Sequence, residues 1–411
     1  MLISMKTPQS NLRFLLAGML FALLPVTSLA DDAGVLNEFG ACMARLEAAA
    51  VDSGISKDTV ESTLSSVKPV ARVISADRQQ AEFFYTFWHY LDGRVTDTRV
   101  ERGREMYSKH YDLLHRIYQR YGVRPEYLVA FWGMETNYGS YFGSVPVLDA
   151  LATLACDQRR SEMFTREFVN ALSIHETGAM DLTRVKGSWA GAMGHTQFLP
   201  STYLGHAVDY DRDGRRDLFG SLPDAFASSA NYLSRIGWEG EQRWGREVLM
   251  PFKFDWSLAG LDTRKTVSEW RALGLRDGFG RPLPESEIEG SLLLPMGHKG
   301  PAFLVYNNFH TIMKWNASIS YALAVGHLAD RIAGMGRLTA KRADHVQLLR
   351  VAEVSEIQGL LNRLGYESGE PDGVVGRQTR SAARAFQSQA GLPADGYPDH
   401  QLLEFLRQSA R

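Results

Sequence analysis

The chain has 411 residues, of which 22% are charged and 45% hydrophobic, and its formal net charge at pH 7 is −2. This length allows two domains with buried cores, and the composition is that of an ordinary globular protein. Because the charge is almost balanced and the basic residues are scattered, the sequence argues against nucleic-acid binding.

The first thirty residues have the pattern of a secretory signal peptide. Two basic residues precede an apolar run from Phe14 to Leu24, and Ser28-Leu29-Ala30 is a small-x-small cleavage site. The apolar run is short for a helix that spans a bilayer. Asp31, and not cysteine, follows the site, so nothing indicates a lipid anchor. We expect cleavage of residues 1–30 and export to the periplasm with no transmembrane segment. An uncleaved N-terminal anchor is the alternative.

The mature chain retains two cysteines, Cys42 and Cys156. In an oxidising compartment an even pair of cysteines can form a disulfide. Two unrelated buried thiols are the alternative, because the sequence does not show whether the two residues are close. A pair of cysteines without a histidine cluster argues against structural zinc.

Several helices are predicted before the centre of the chain. Phe39 to Val60 shows helical spacing and ends near Ser53 to Ser56, a turn with a capping serine. Val100 to Tyr121 has the spacing of one long amphipathic helix. The aromatic run Phe87 to Tyr90 is predicted to lie in the core.

Another helix is predicted from Pro125, because proline suits the first helical turn. Its inward face carries residues at i, i+3, i+4 and i+7, namely Leu128, Phe131, Trp132 and Glu135. Burial at the end of this apolar stripe disfavours a charged carboxylate and raises its pKa, which a general acid at neutral pH requires. A solvated glutamate in the last turn is the alternative that spacing alone leaves open.

The end of this helix carries a recognisable motif. Gly133-Met134-Glu135-Thr136-Asn137-Tyr138-Gly139 resembles the Gly-x-Glu-Thr-x-x-Gly signature of the lytic murein transglycosylase B family, glycoside hydrolase family 103. Gly139 is predicted to close the helix in a left-handed conformation. The resemblance implies that Glu135 is the catalytic residue.

A second block, from Ser188 to Tyr203, is rich in glycine but lacks the Gly-Lys-Ser/Thr of a phosphate-binding loop, which excludes nucleotide binding there. It resembles the family pattern Ser-x-Ala-Gly-Ala-Met-Gly-x-x-Gln-Phe-x-Pro-Ser-x-Tyr. The resemblance implies that Ser188 and Gln197 supply hydrogen bonds beside the acid. For His195 and His206 we prefer an ordinary surface or core position to a metal-binding role.

The resemblance extends to further residues that would line a glycan groove. These are Tyr90, Arg159, Arg160, Tyr232, Asn308 and Phe309. Lys314-Trp315 stands where the family usually has Arg-Tyr, so an aromatic platform is kept but no role is assigned to Lys314.

The segment from Asp209 to Gly220 resembles a calcium-binding EF-hand loop. The oxygen ligands at positions one, three, five and nine would be Asp209, Asp211, Asp213 and Asp217. Position twelve should carry a bidentate acid and is Gly220, although Asp224 lies close in sequence. Some relatives bind calcium at such a loop. A structural Ca²⁺ site and a calcium-free Asx-turn loop therefore both stay open.

The C-terminal part begins after a polar, basic linker, residues 338–345. Residues 346–411 contain a helix closed by Gly365, an Asp372-Gly373 turn and a second Asp-Gly turn at Asp395. They resemble the peptidoglycan-binding domain type 1, a three-helix module. The expected fold is therefore mainly α, with a lysozyme-like α+β catalytic domain at residues 31–337 and a small three-helix C-terminal module.

The activity implied by the resemblance is non-hydrolytic cleavage of the MurNAc-GlcNAc β-1,4 bond of peptidoglycan, which gives 1,6-anhydromuramoyl products. Glu135 would serve as acid and then as base, with no catalytic cofactor and with glycan strands as the partner. Two alternatives stay open. A hydrolytic muramidase would need a second acid, such as Asp149 or Asp157, and a non-catalytic wall-binding protein would need only the C-terminal module.

Overall fold

The computed structural model describes residues 38–78, 86–342 and 349–411. The predicted signal peptide, residues 1–30, and residues 343–345 of the predicted linker lie outside these ranges. Within them, no helix combines the length and the apolarity that crossing a bilayer requires.

Helices dominate the described residues, which confirms the prediction of a mainly α chain with a small β part. In chain order they are α1 (Phe39–Asp52), α2 (Lys57–Leu64), α3 (Ala71–Arg78), α4 (Phe87–Arg94), α5 (Asp97–Lys109), α6 (Tyr111–Tyr121), α7 (Pro125–Thr136), α8 (Val147–Cys156), α9 (Ser161–Glu176), α10 (Pro200–His206), α11 (Leu222–Arg235), α12 (Val267–Ala272), α13 (Asn307–Trp315), α14 (Ile319–Ile332), α15 (Val351–Arg363), α16 (Arg377–Gln389) and α17 (His400–Ser409).

Local capping explains several helix boundaries. The Ser56 side chain accepts a hydrogen bond from the Thr59 N–H and begins α2, as a capping serine should.

The prediction of one helix from Val100 to Tyr121 is wrong. The backbone departs from helical geometry at His110 (φ −108°, ψ 19°), and this residue divides the segment into α5 and α6.

Helix α7 lies at the centre of the largest apolar core and packs against α5, α6, α11 and α14. Its residues from Pro125 to Met134 are all buried, and Glu135 is half-buried. A helix that is apolar on nearly every side belongs in the interior of a protein. The face predicted to look inward is therefore only part of a helix that is enclosed almost all round.

In the described part of the chain, seven short strands form two sheets. The strands are β1 (Val145–Pro146), β2 (Lys186–Gly187), β3 (Gly245–Leu249), β4 (Lys265–Thr266), β5 (Arg276–Asp277), β6 (Glu289–Leu293) and β7 (Ala302–Val305). The five-stranded sheet has the order β4-β6-β7-β3-β5, and each neighbouring pair is antiparallel. It covers its own apolar cluster, which includes Trp270 and Leu304.

The two-stranded sheet joins the loop after α7 to the glycine-rich block. Val145 pairs with Gly187 and Pro146 with Lys186 in antiparallel register. The backbones approach closely here, since a Cβ on Gly143 would lie 1.9 Å from the Gly187 carbonyl oxygen. Only glycine fits at position 143, where φ is also +105°.

A disulfide connects α1 with the end of α8. It joins Cys42 to Cys156, whose Cα atoms lie 5.7 Å apart across 114 positions of sequence. Cys42 is buried in the second apolar core, which α1, α8 and α9 share. The bond thus ties the first described helix to the segment that follows the Glu135 helix.

The C-terminal helices α15, α16 and α17 surround a separate apolar cluster that includes Leu361, Phe386 and Leu406. This arrangement confirms the predicted three-helix module. The module contacts the preceding part of the chain through Asp395, whose Oδ2 atom accepts a hydrogen bond from the His298 backbone N–H at 2.8 Å and lies 2.6 Å from His298 Nδ1. An ion pair between Arg377 and Asp262 adds a second contact.

Candidate active site

Helix α7 ends immediately after Glu135. Asn137 and Tyr138 adopt the left-handed conformation before Gly139 does, so the helix is capped two residues earlier than predicted. Tyr138 folds back over Gly133, where a Cβ atom would lie 2.6 Å from the tyrosine ring. Gly133 therefore costs helix propensity but makes room for the tyrosine that supports the end of the helix.

The carboxylate of Glu135 accepts two hydrogen bonds on one oxygen. The indole Nε1–H of Trp315, the last residue of α13, donates to Oε1 over 2.9 Å. The hydroxyl of Tyr321, on α14, donates to the same oxygen. Trp315 itself is held by ring contact with Phe131, one turn before Glu135, at a centroid distance of 4.4 Å.

Glu135 opens into a cleft of about 540 Å³. The described residues that line it are Arg72, Ala76, Tyr90, Arg94, Met134, Glu135, Tyr141, Phe142, Gly143, Ser144, Val145, Gly187, Ser188, Trp189, Gln197, Asn316 and Tyr321. Four residues that the sequence predicted for the site, Tyr90, Glu135, Ser188 and Gln197, thus meet in one cavity. Glu135 is the one carboxylate in this lining, whereas Arg72 and Arg94 make it cationic.

Ser188 and Gln197 are fixed by the loops that carry them. Ser188 Oγ accepts hydrogen bonds from the Ala190 and Ala192 N–H groups, at 3.2 and 3.0 Å. Gln197 adopts φ +52°, and its Nε2 donates to the Phe142 and Gly194 carbonyl oxygens. Both side chains are half-buried and face the cleft already oriented, which reduces the cost of ordering them around a ligand.

His195 lies behind the cleft as a buried structural residue. Its Nδ1 accepts a hydrogen bond from Trp132 Nε1 at 2.9 Å, and its backbone oxygen accepts one from Thr136 Oγ1 at 2.8 Å. Burial lowers the pKa of His195 and favours the neutral imidazole that such a bond requires. Of the two positions expected for His195, surface or core, the structure has the core position.

Arg159 and Arg160 do not line the cleft. Nη1 of Arg159 lies 2.9 Å from Asp77 Oδ2, and Arg160 pairs with the other oxygen of Asp77. Asp77 is only 2% exposed and belongs to α3, the helix whose Arg72 and Ala76 form one wall of the cleft. The two arginines therefore hold that wall in place, and their direct contact with glycan stays a prediction.

Tyr232, Asn308 and Phe309 also lie outside the cleft lining. Tyr232 contacts the ring of Trp315 at a centroid distance of 5.4 Å, directly behind Glu135. The placement of Asn308 and Phe309 in the groove is wrong for this structure, because both are fully buried. The Asn308 amide hydrogen-bonds to the backbone of Glu239 and Gln242. These bonds supply partners for polar backbone groups of that loop.

The two acids considered for a hydrolytic mechanism are engaged elsewhere. Asp149 Oδ1 accepts a hydrogen bond from the Lys68 N–H at 3.0 Å, although burial raises the pKa of Asp149. Asp157 is buried and pairs with Arg78 at 3.6 Å. Neither residue lines the cleft with Glu135.

The aspartate-rich loop packs against the back of the site. Carboxylate oxygens of Asp209, Asp211 and Asp213 lie within 4.8 Å of one another. Asp217 is not part of that group, because its Oδ1 accepts hydrogen bonds from the backbone at Phe219 and Gly220.

Asp224 does reach back to this loop, as its position in the sequence allowed. It binds the backbone N–H groups of Tyr210, Asp211 and Asp217. Both of its carboxylate oxygens are occupied in this way, so Asp224 closes the loop through the backbone and does not join the group of three carboxylates.

Sequence reasoning missed Trp315 and Tyr321. The sequence predicts Trp315 only as an aromatic platform, and Tyr321 lies in a helix that carries no motif. The available signal was the aromatic residue kept at position 315, directly before Asn316 of the cleft lining. Nothing in the sequence indicated that its indole would reach an acid 180 positions earlier.

Comparison with known proteins decides the family. Residues 38–330 match the model of the transglycosylase SLT domain, and residues 350–406 match that of a peptidoglycan-binding domain. The chain belongs to the lytic transglycosylase family. It is 35% identical over 241 residues to membrane-bound lytic murein transglycosylase B of Escherichia coli, a match that covers 58% of this chain and 65% of that protein.

Solved structures of other lytic transglycosylases have the same fold. SltB3 of Pseudomonas aeruginosa, solved in complex with NAG-anhNAM-pentapeptide, is 44% identical with a TM-score of 0.84, and the match covers 90% of this chain and 99% of SltB3. Slt35 of Escherichia coli, solved in complex with calcium, is 31% identical with a TM-score of 0.61, covering 71% and 92% of the two chains. These matches confirm the predicted lysozyme-like fold.

Proposed function

We propose that this lytic transglycosylase acts in the periplasm and cleaves the MurNAc-GlcNAc β-1,4 bond of peptidoglycan without water, giving 1,6-anhydromuramoyl products. The observation that carries the proposal is a cleft whose described lining contains one carboxylate, Glu135. Hydrolysis by the usual route needs two carboxylates at a fixed separation. A single acid is sufficient when a hydroxyl group of the substrate replaces water.

In the first step, Glu135 acts as the acid. Its proton moves to the glycosidic oxygen while the bond from that oxygen to C1 of the muramoyl sugar breaks, and the electron pair leaves with the oxygen. Burial of Glu135 at the end of an apolar helix favours the protonated form that this step requires, whereas the two donors on Oε1 favour the carboxylate that the next step uses.

In the second step, the glutamate formed in the first step acts as the base. It takes the proton of the muramoyl C6 hydroxyl while the C6 oxygen bonds to C1, and the 1,6-anhydro ring closes. Glu135 is thereby restored to its acid form. The complex of SltB3 with NAG-anhNAM-pentapeptide supports a product of this class for a relative that is 44% identical.

Ser188, Gln197 and the two cleft arginines would orient the substrate. Ser188 and Gln197 are proposed to bind the muramoyl N-acetyl group, which assists at C1. Arg72 and Arg94 offer guanidinium groups to the same cleft, and such groups suit the carboxylates that muramoyl sugars and their peptides carry. These roles require no cofactor.

The proposed function includes a division of the chain into two domains joined by a linker. Residues 31–337 would form the catalytic domain, residues 338–345 the linker and residues 346–411 the module that binds glycan strands. Residues 1–30 would be removed on export. The disulfide between Cys42 and Cys156 supports an oxidising compartment, since such bonds are rare where glutathione keeps thiols reduced.

We also propose that the aspartate-rich loop binds a structural Ca²⁺. Asp209, Asp211 and Asp213 would supply hard oxygen ligands, which calcium prefers, and Slt35 was solved with calcium. The loop contacts the site through the Leu218 carbonyl oxygen, which accepts a hydrogen bond from the His195 N–H at 2.9 Å. The ion would therefore stabilise the back of the cleft and take no part in the reaction.

The deciding experiment is mass spectrometry of soluble products after the mature protein digests purified sacculi. Anhydromuramoyl ends support the proposal. Reducing muramic ends would mean hydrolysis and a second acid that positions water. No released product, with the protein still sedimenting on sacculi, would mean a wall-binding protein.

A further inference from the structure

Two hydrogen-bond donors meet the same oxygen of Glu135. Trp315 Nε1 and the Tyr321 hydroxyl both donate to Oε1, and neither residue belongs to the motif that carries the acid. A carboxyl oxygen has two lone pairs available for such bonds. With both occupied, Oε1 is committed as an acceptor and has no place for a proton of its own.

We infer that Trp315 is a positioning residue that, together with Tyr321, makes Oε2 of Glu135 the oxygen that gives and takes the proton. This inference rests on the proposed function, because it assigns an atom to each proton transfer. The Oε2–H bond breaks as the glycosidic oxygen gains the proton. The same Oε2 then accepts the proton of the C6 hydroxyl as the C6 oxygen bonds to C1.

The choice of tryptophan matters because an indole N–H donates and never accepts. A hydroxyl at the same place can turn and accept a hydrogen bond from a protonated Oε1. The indole is also held on three sides by the rings of Phe131, Phe198 and Tyr232, at centroid distances of 4.4, 5.6 and 5.4 Å. Its donor therefore stays directed at Oε1 throughout the reaction cycle.

The bond from Trp315 also affects the charge state of Glu135. A donor stabilises a carboxylate more than the neutral acid, so its loss raises the pKa of the carboxyl. Other groups in the described cleft lining act on the same carboxyl and are unchanged by a substitution at position 315. The titratable and charged ones are Arg72, Tyr90, Arg94, Tyr141 and Tyr321.

The test is the pH dependence of kcat/KM for wild type and Trp315→Phe, measured by anhydromuramoyl product release from a soluble glycan fragment. Phenylalanine keeps a ring for packing but removes the N–H. Because the protonated acid is the active form, activity falls as pH rises through its pKa. We expect kcat/KM to drop at least tenfold and the alkaline limb of its pH profile to move up by about one pH unit.

Two further variants make the result specific. Trp315→Tyr restores a donor on an aromatic ring and should return the alkaline limb toward the wild-type pH. Trp189→Phe removes an indole N–H from the same cleft without touching Glu135, so it should leave the limb in place whatever it does to KM.

The possible outcomes separate the inference from the proposed function. If wild type releases no anhydromuramoyl product, the proposed function fails. If wild type releases it and Trp315→Phe has the wild-type alkaline limb, the positioning role is overturned while the function stands. A limb that moves equally in Trp189→Phe also overturns it, because the shift would then reflect the cleft in general.

Discussion

Nε1 of Trp315 lies 2.9 Å from Oε1 of Glu135, although 180 positions separate the two residues in the chain. Phe131, on the same helix as Glu135, packs against the same indole. Glu135 and Trp315 are thus joined where α7 packs against the end of α13. Displacing the end of α13 would therefore disturb the acid even when the sequence of α7 is unchanged.

Replacing Glu135 with glutamine should abolish cleavage and leave the fold intact. The amide neither gives nor takes the proton, and a positioned acid or base alone contributes roughly 10²- to 10⁴-fold to a rate. We expect product release from sacculi to fall by about 10³-fold or more, with unchanged circular dichroism. The control is Glu101→Gln on the exposed face of α5. Normal turnover by Glu135→Gln would remove the acid from this role.

Replacing Arg160 with alanine should destabilise the protein, because it leaves the buried Asp77 short of a partner. Arg160 is partly exposed and Arg159 remains, so we expect a loss of about 1–3 kcal/mol in the free energy of unfolding, measured with urea. Arg166→Ala, which breaks an exposed pair with Glu162 on α9, should cost little. A raised KM with unchanged stability would instead support direct contact of Arg160 with glycan.

Removing the disulfide by changing Cys42 and Cys156 to serine should lower the free energy of unfolding. The bond closes a loop across 114 positions, and loss of such a crosslink typically costs about 2–5 kcal/mol. The urea midpoint of the double variant should match that of wild type kept reduced. Equal midpoints for oxidised wild type and the variant would show that the bond does not form in solution.

Acid should destabilise the protein through His327, a buried residue of α14. Burial, aided by Arg331 and Arg337, lowers its pKa from 6.5 to about 4. Between these values the unfolded chain binds a proton that the folded chain does not, so the free energy of unfolding falls as pH drops through this window. His327→Gln should flatten the dependence by up to about 3 kcal/mol. A His327→Gln variant with the wild-type pH dependence would contradict this role of His327.

Calcium should raise the melting temperature if the aspartate-rich loop binds it. An ion present at about 100 times its Kd adds about 2.7 kcal/mol to the stability of the folded state. The effect should vanish in a variant that carries both Asp209→Asn and Asp213→Asn, and magnesium at the same concentration should have less effect. Equal melting curves with calcium and with chelator would leave the loop as a calcium-free Asx-turn structure.

The parts of the site that could be predicted lie within continuous motifs. Glu135, Ser188 and Gln197 each stand in a dense local pattern, and the cleft brings them together. The three-helix module was predictable for the same reason, since its helices and turns follow one another within a short segment.

The missed features depend on contacts between distant segments. The sequence showed that Arg159 and Arg160 were paired but not that Asp77 would lie between them. Asn308 stands within a family-like motif, yet its amide is used up by the backbone of a loop far away in the chain. Residue type indicates which bonds a side chain can make, whereas the tertiary fold selects the partner.

The contact between Asp395 and His298 holds the C-terminal module against the preceding part of the chain. A glycan strand bound to a module held in this way would meet the cleft at a distance set by the packed protein. A flexible linker would instead allow many distances between module and cleft. We therefore expect cuts to recur at a preferred spacing from the point of anchorage. Breaking this contact should broaden the distribution of fragment lengths without changing the chemistry of each cut.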